Sequence, residues 1–173
     1  LLRLTNLNWD QFTHIHPDER FLTMVTSAMS LPASFGEFLN SEQSQMNPYN
    51  IGYGFFVYGT LPLFIVRVVA EVAQKINEVA QIWESSPGMP IFMTGYDGVH
   101  LVGRFVSGLF DLGVIPLLFL IGRRLYNSRV GLLAAAFYTF AALALQQSHF
   151  YTVDTFGAFF AALAFYFAVR VAQ

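Results

Sequence analysis

Three apolar segments joined by very short links constrain this chain more than anything else in it. They run over residues 99–121, 130–147 and 153–169. A helix that crosses a bilayer needs roughly 20 apolar residues, within a range of about 17–25. The first segment fits that range and the other two lie near its lower end, so three transmembrane helices are expected. Composition agrees: 55% of the 173 residues are hydrophobic and only 12% are charged, where a soluble domain carries about 25%. The fold class predicted is all-α and integral to the membrane.

The basic residues give the orientation. Arg123, Arg124 and Arg129 cluster in the link between the first two segments, with no acid among them. The positive-inside rule puts that link in the cytoplasm. Arg170, beyond the third segment, then also lies inside. The turn between the second and third segments lies outside, together with everything before residue 99. The expected organisation is an extracytoplasmic loop over 1–98 and a transmembrane region over 99–173. The chain opens on Leu1-Leu2-Arg3-Leu4, which reads as the tail of an earlier apolar segment, and stops directly after an apolar run. It reads as a fragment of a longer membrane domain.

Two helices are predicted in the outer loop. In the stretch 17–29, Pro17 suits the first helical position and Asp18 and Glu19 suit the first turn, where the helix dipole favours acids. Phe21, Met24, Val25, Ala28 and Met29 then recur at helical spacing. In the stretch 58–83, Arg67, Glu71, Gln74, Lys75, Glu78 and Gln81 form one polar face. Val68, Val72, Ile76, Val79 and Trp83 form the opposite one. Arg67–Glu71 and Glu71–Lys75 are i,i+4 pairs. Both helices are expected to lie in the membrane interface rather than across it. Residues 31–54 and 84–98, rich in Asn, Gly, Pro and Ser, read as loops.

The polar residues of interest concentrate on the outer side. Asp18 and Glu19 sit at a helix start, where acids serve as dipole partners, and one of them also suits general-base chemistry at a membrane surface. Asp154 stands at the start of the third segment, where it or Thr152 would cap the helix. His149, Tyr151 and Thr152 make that turn rich in hydrogen-bonding groups. Arg104 lies near the outer end of the first segment, where it either snorkels or holds a phosphate between two guanidinium nitrogens. Asp111, seven residues further in, needs a buried partner, either Arg104 or a donor on another helix. Gly103 and Ser107 form a small-xxx-small pair that suits close helix packing. Two of the four histidines, His14, His16, His100 and His149, neighbour carboxylates, but no pair has a diagnostic ligand spacing. No metal site is assigned and no cofactor is expected, with a divalent cation left open. A net charge of −2 gives no reason to expect a nucleic-acid partner, and the lack of Cys excludes disulfides and thiolate metal sites.

Four stretches together resemble a known family. They are His16-Pro17-Asp18-Glu19-Arg20, Gly103-Arg104-Phe105-Val106-Ser107, Gly122-Arg123-Arg124-Leu125-Tyr126 with Gly131-Leu132-Leu133-Ala134-Ala135, and Ser148-His149-Phe150-Tyr151-Thr152-Val153-Asp154. Their order and spacing are similar to the N-terminal part of lipid-carrier-dependent glycosyltransferases of the C superfamily, which includes protein O-mannosyltransferases and the aminoarabinose transferases that modify lipid A. The resemblance implies transfer of a sugar from a polyprenyl or dolichyl phosphate to a protein or lipid acceptor, with inversion. It implies catalytic roles for Asp18, Glu19 and Asp154, with Asp18 as base. It implies substrate contacts by Arg104, His16 and His149, with Arg104 at the donor phosphate. The expected setting is the bacterial inner membrane, with the active face extracytoplasmic and further membrane helices or subunits alongside. The segment Gly59-Thr60-Leu61-Pro62-Leu63 departs from the family's His-Pro-Pro-Leu and Lys-Pro-Pro-Leu types, so acceptor identity is not implied. A second reading is a non-catalytic membrane subunit built on the same scaffold.

Overall fold

The computed structural model describes residues 2–80 and 92–172, and all regular structure among them is helical. In chain order the α-helices are α1 (Pro17–Ala28), α2 (Phe35–Leu39), α3 (Leu61–Ala80), α4 (Tyr96–Leu125), α5 (Ser128–Thr139), α6 (Ala142–Gln147) and α7 (Asp154–Ala172). A 3-10 turn spans Pro48–Ile51. The chain divides into two compact units, one of residues 8–103 and the other of residues 2–7 with 104–172. Residues 2–7 form an N-terminal strip of the second, helical unit.

In the first unit α1 packs on α3. Leu22, Val25 and Met29 of α1 and Leu63, Val66 and Ala70 of α3 are buried. The inward face of α1 is rotated from the one its apolar residues suggest: Glu19, Thr23 and Thr26 are buried while Met24 is exposed. Thr26 tolerates burial because its hydroxyl donates to the Leu22 carbonyl at 2.8 Å. Glu19 is held inward by the histidine described below. Residues 31–54, read as loop, contain α2 and the 3-10 turn. Ser34 caps α2 by accepting from the Glu37 N–H, and Asn47 caps the turn by accepting from the Tyr49 N–H.

The inward side of α3 mixes apolar and polar residues: Arg67 and Asn77 are buried with Leu63, Val66 and Ala70, while Lys75 and Glu78 are exposed. Arg67 is buried, and its Nη1 donates to the carbonyls of Thr26 and Ser27 at 3.3 Å each and of Thr94 at 3.4 Å. Two of these carbonyls, Thr26 and Ser27, belong to the last turn of α1, where helix carbonyls call for added donors. The i,i+4 pair with Glu71 forms at 2.6 Å. The apolar face is exposed at Val68, Val72, Ile76 and Val79. Gln81, Trp83 and the other residues of 81–91 lie outside the described residues.

In the second unit two helices, α4 and α7, are long and apolar enough to cross a membrane. They pack through a ring cluster in which Phe110 lies 4.4 Å from Phe156 and 5.2 Å from Phe159. The segment expected as a continuous middle span is broken. Helix α5 ends at Thr139, Ala141 is extended, and α6 restarts at Ala142. At 12 residues α5 is about 18 Å long, short of the ~30 Å hydrocarbon core. The break is stabilised from far away in sequence. Arg3 donates to the Thr139 and Tyr138 carbonyls at 3.0 and 3.1 Å, and so occupies acceptors at the end of α5.

Arg3 also forms a buried ion pair with Asp111, whose other oxygen accepts from the Tyr138 hydroxyl at 2.6 Å. The buried partner expected for Asp111 is therefore Arg3 together with Tyr138. A close backbone approach lies at Gly108, where a Cβ would sit 2.8 Å from the Arg3 carbonyl. Helices α4 and α5 touch at Gly122 and Gly131, where a Cβ on Gly131 would stand 2.5 Å from the Phe119 carbonyl. Asn127 makes this sharp reversal by accepting from the Arg129 and Val130 N–H groups at 2.9 and 3.1 Å.

Candidate functional site

The first unit gathers its chemistry around the start of α1. Residues 8–14 form tight turns, with Gln11, Phe12 and His14 in the left-handed region at φ 52°, 62° and 50°. That conformation is unusual for non-glycine residues. It is held by side chains of the loop itself: Asn8 accepts from the Phe12 N–H and Asp10 from the His14 N–H, each at 3.1 Å. The turns direct Asp10 inward to meet Glu19 from α1 and His100 from the first turns of α4. All three are buried. His100 Nε2 stands 3.5 Å from Glu19 Oε1 and 3.8 Å from Asp10 Oδ2. The His14 ring lies over that of His100 with centroids 4.1 Å apart, and its Nε2 meets Asp97 at 2.9 Å.

Asp18 and Glu19 are neighbours in sequence but point apart, as the 100° step of a helix requires. Glu19 is buried, whereas Asp18 is exposed and accepts from the Tyr58 hydroxyl at 2.8 Å. Tyr58 is itself set by Phe21 and Phe56, whose rings lie about it at 6.0 and 6.1 Å. Its hydrogen bond gives the exposed carboxylate a fixed direction. His16 caps α1, with its Nδ1 accepting from the Glu19 N–H at 3.4 Å. The structure thus brings His16, Asp18 and Glu19 together at one helix start.

Arg104, His149 and Asp154 belong to the other unit. Arg104 is fully buried and its Nη1 donates to the Leu7 carbonyl at 2.7 Å. His149 is half-buried, with Nδ1 2.7 Å from the Leu145 carbonyl and Nε2 3.1 Å from that of Thr5. Both side chains therefore anchor the N-terminal strip on the helical unit. Asp154 is exposed as the first residue of α7. The carbonyl that accepts the first bond of that helix, from the Gly157 N–H at 2.9 Å, belongs to Val153. Thr152, considered as a cap, is buried with its hydroxyl unpaired among the described residues.

Sequence reasoning did not single out Asp10, Asp97 or Tyr58 at all. Asp10 lies nine residues before Glu19, and no ligand-spacing motif links it to His100. What joins them is the left-handed turn sequence of 11–14, which carries no glycine to announce it.

Comparison with known proteins adds one finding. Residues 88–173 match the dolichyl-phosphate-mannose-protein mannosyltransferase family. The matched stretch holds α4 to α7 and with them His100, Arg104, Asp111, His149 and Asp154; the start of α1 precedes it. No curated protein and no solved structure matches the chain.

Proposed function

We propose that this chain, which belongs to the C superfamily of membrane glycosyltransferases, transfers a sugar from a polyprenyl or dolichyl phosphate carrier to an acceptor at the extracytoplasmic face. The observation that carries the reading is the family match over 88–173, which covers both helices fit to cross a membrane. Asp18 is the base. Of the paired acids at the start of α1 it is the one open to solvent, and Tyr58 holds it in one direction. The acceptor hydroxyl gives its proton to the Asp18 carboxylate as its oxygen bonds to the anomeric carbon. The bond from that carbon to the phosphate oxygen breaks, the lipid phosphate leaves with the electron pair, and the configuration inverts.

The remaining residues have supporting roles in this reading. His16 and Glu19 hold the turn that presents Asp18. Asp154 offers a second exposed carboxylate to polar groups of a substrate. Arg104 and His149 are assigned to the donor phosphate on the resemblance alone, since positive charge or N–H donors there favour the leaving group. The exposed valine and isoleucine stripe of α3 suits a helix lying in the interface beside the lipid carrier.

The test is transfer of label from a radiolabelled polyprenyl-phosphate sugar in membranes that contain the protein. Asp18→Asn and Asp154→Asn are expected to lose transfer at unchanged protein level. The loss for Asp18→Asn should be about 10²–10⁴-fold, the usual contribution of a general base. Transfer that is absent from wild type, or indifferent to both substitutions, would leave a non-catalytic membrane subunit as the reading.

A further inference from the structure

We infer that Asp10, Glu19 and His100 form a binding site for a divalent transition-metal ion of the Mn2+ or Zn2+ class. The candidate ligand atoms of the three residues all lie within 4.8 Å of one another, and each residue is buried. They come from three separate parts of the first unit: the 8–14 turns, the first turn of α1 and the first turns of α4.

The histidine supplies the independent observation. His100 is 0% exposed, and neither ring nitrogen has a hydrogen-bond partner among the described residues. Burying such a group without a partner costs about 1–3 kcal/mol. Its Nε2 nevertheless faces two carboxylate oxygens at 3.5 and 3.8 Å. Direct hydrogen bonds would close those gaps to about 2.7–3.2 Å. Two donors on one cation, each about 2.1 Å from it, stand about 3.0–4.2 Å apart depending on the angle between them. Both His100 separations fall inside that range, as they would for ligands around a common centre.

The donor set selects the ion class. Imidazole nitrogen favours Zn2+ and its neighbours, carboxylate oxygen favours Mn2+, and the chain offers no thiolate to draw softer ions. A bound cation would tie the 8–14 turns and α4 to the residue next to Asp18 and so fix the start of α1. The inference rests on the geometry of the 8–103 unit and stands apart from the transferase reading.

The test uses the purified protein in detergent, treated with a chelator and then titrated with Mn2+. Electron paramagnetic resonance follows the loss of the free-ion signal, and electron spin echo modulation reads nitrogen bound to the metal. The expected result is saturable uptake with imidazole nitrogen coupling, displaced by Zn2+. His100→Ala should abolish the coupling, and Glu19→Gln should weaken uptake at least about tenfold, the scale set by changes in a metal's surroundings. Glu42→Gln, at an exposed loop position, should change neither. Wild-type protein that takes up no Mn2+, or takes it up without nitrogen coupling, overturns the inference even if the substituted proteins fail to fold. Coupling that persists in a folded His100→Ala protein overturns it as well. Because the readout is metal binding, its failure is separable from any failure of sugar transfer.

Discussion

The Tyr138 hydroxyl donates to Asp111 at 2.6 Å, and the same aspartate pairs with Arg3, whose guanidinium lies 5.6 Å from the Tyr138 ring centre. An anion inside a helix long and apolar enough to cross a membrane is thus matched by a cation from the N-terminal strip and a phenol from α5.

Breaking one side of this arrangement should cost more than removing both. Asp111→Leu leaves Arg3 buried and unmatched, and loss of one partner of a buried pair costs about 3–5 kcal/mol. The unfolding midpoint in detergent should fall by about 6–20 °C. Arg3→Met should behave similarly. The double substitution should be less harmful than the two single effects added together. Thermal unfolding of the four proteins measures this, and strictly additive losses would contradict the coupling.

The two helical glycines Gly131 and Gly157 should answer oppositely to the same change. A Cβ on Gly131 meets the Phe119 carbonyl at 2.5 Å and the Arg123 nitrogen at 2.9 Å, both backbone atoms that cannot swing away. Gly131→Ala should cost about 1–3 kcal/mol by forcing α4 and α5 apart. A Cβ on Gly157 meets nothing within 4 Å. Gly157→Ala should be neutral or stabilising by up to about 1 kcal/mol, from helix propensity alone. Equal effects at the two positions, read from unfolding midpoints, would contradict the close helix contact.

If Asp18 is the base, Tyr58→Phe should lower kcat and leave the donor KM nearly unchanged. The ring contacts with Phe21 and Phe56 survive the change, while the hydrogen bond that aims the carboxylate is lost. A hydrogen bond to a charged group is worth about 1.5–3 kcal/mol, so a loss of about 10–150-fold is expected. Steady-state transfer rates separate the two parameters. A change confined to KM would assign Tyr58 to substrate binding instead.

Local pattern made much of the fold legible. The stretch 17–29 emerges as Pro17–Ala28 because proline and two acids mark its start, and 58–83 contains Leu61–Ala80 because its two faces alternate at helical spacing. The break in the middle segment was not legible. Nothing in Thr139-Phe140-Ala141 signals a stop, and the group that supports it, Arg3, lies 136 residues earlier. The site was half legible for a related reason. Adjacent acids identify a helix start, but their adjacency hides that Glu19 points inward and Asp18 outward. Asp10 meets His100 only through left-handed turns at non-glycine residues, a conformation that side-chain type does not advertise.

The distance in sequence between Arg3 and Thr139 also sets a clock. A ribosome adding roughly 5–20 residues per second needs roughly 7–27 s to travel from one to the other. Until then the α5 carbonyls that the Arg3 guanidinium occupies have not been made. The docking of residues 2–7 on the end of α5 is therefore completed only after α5 itself has emerged.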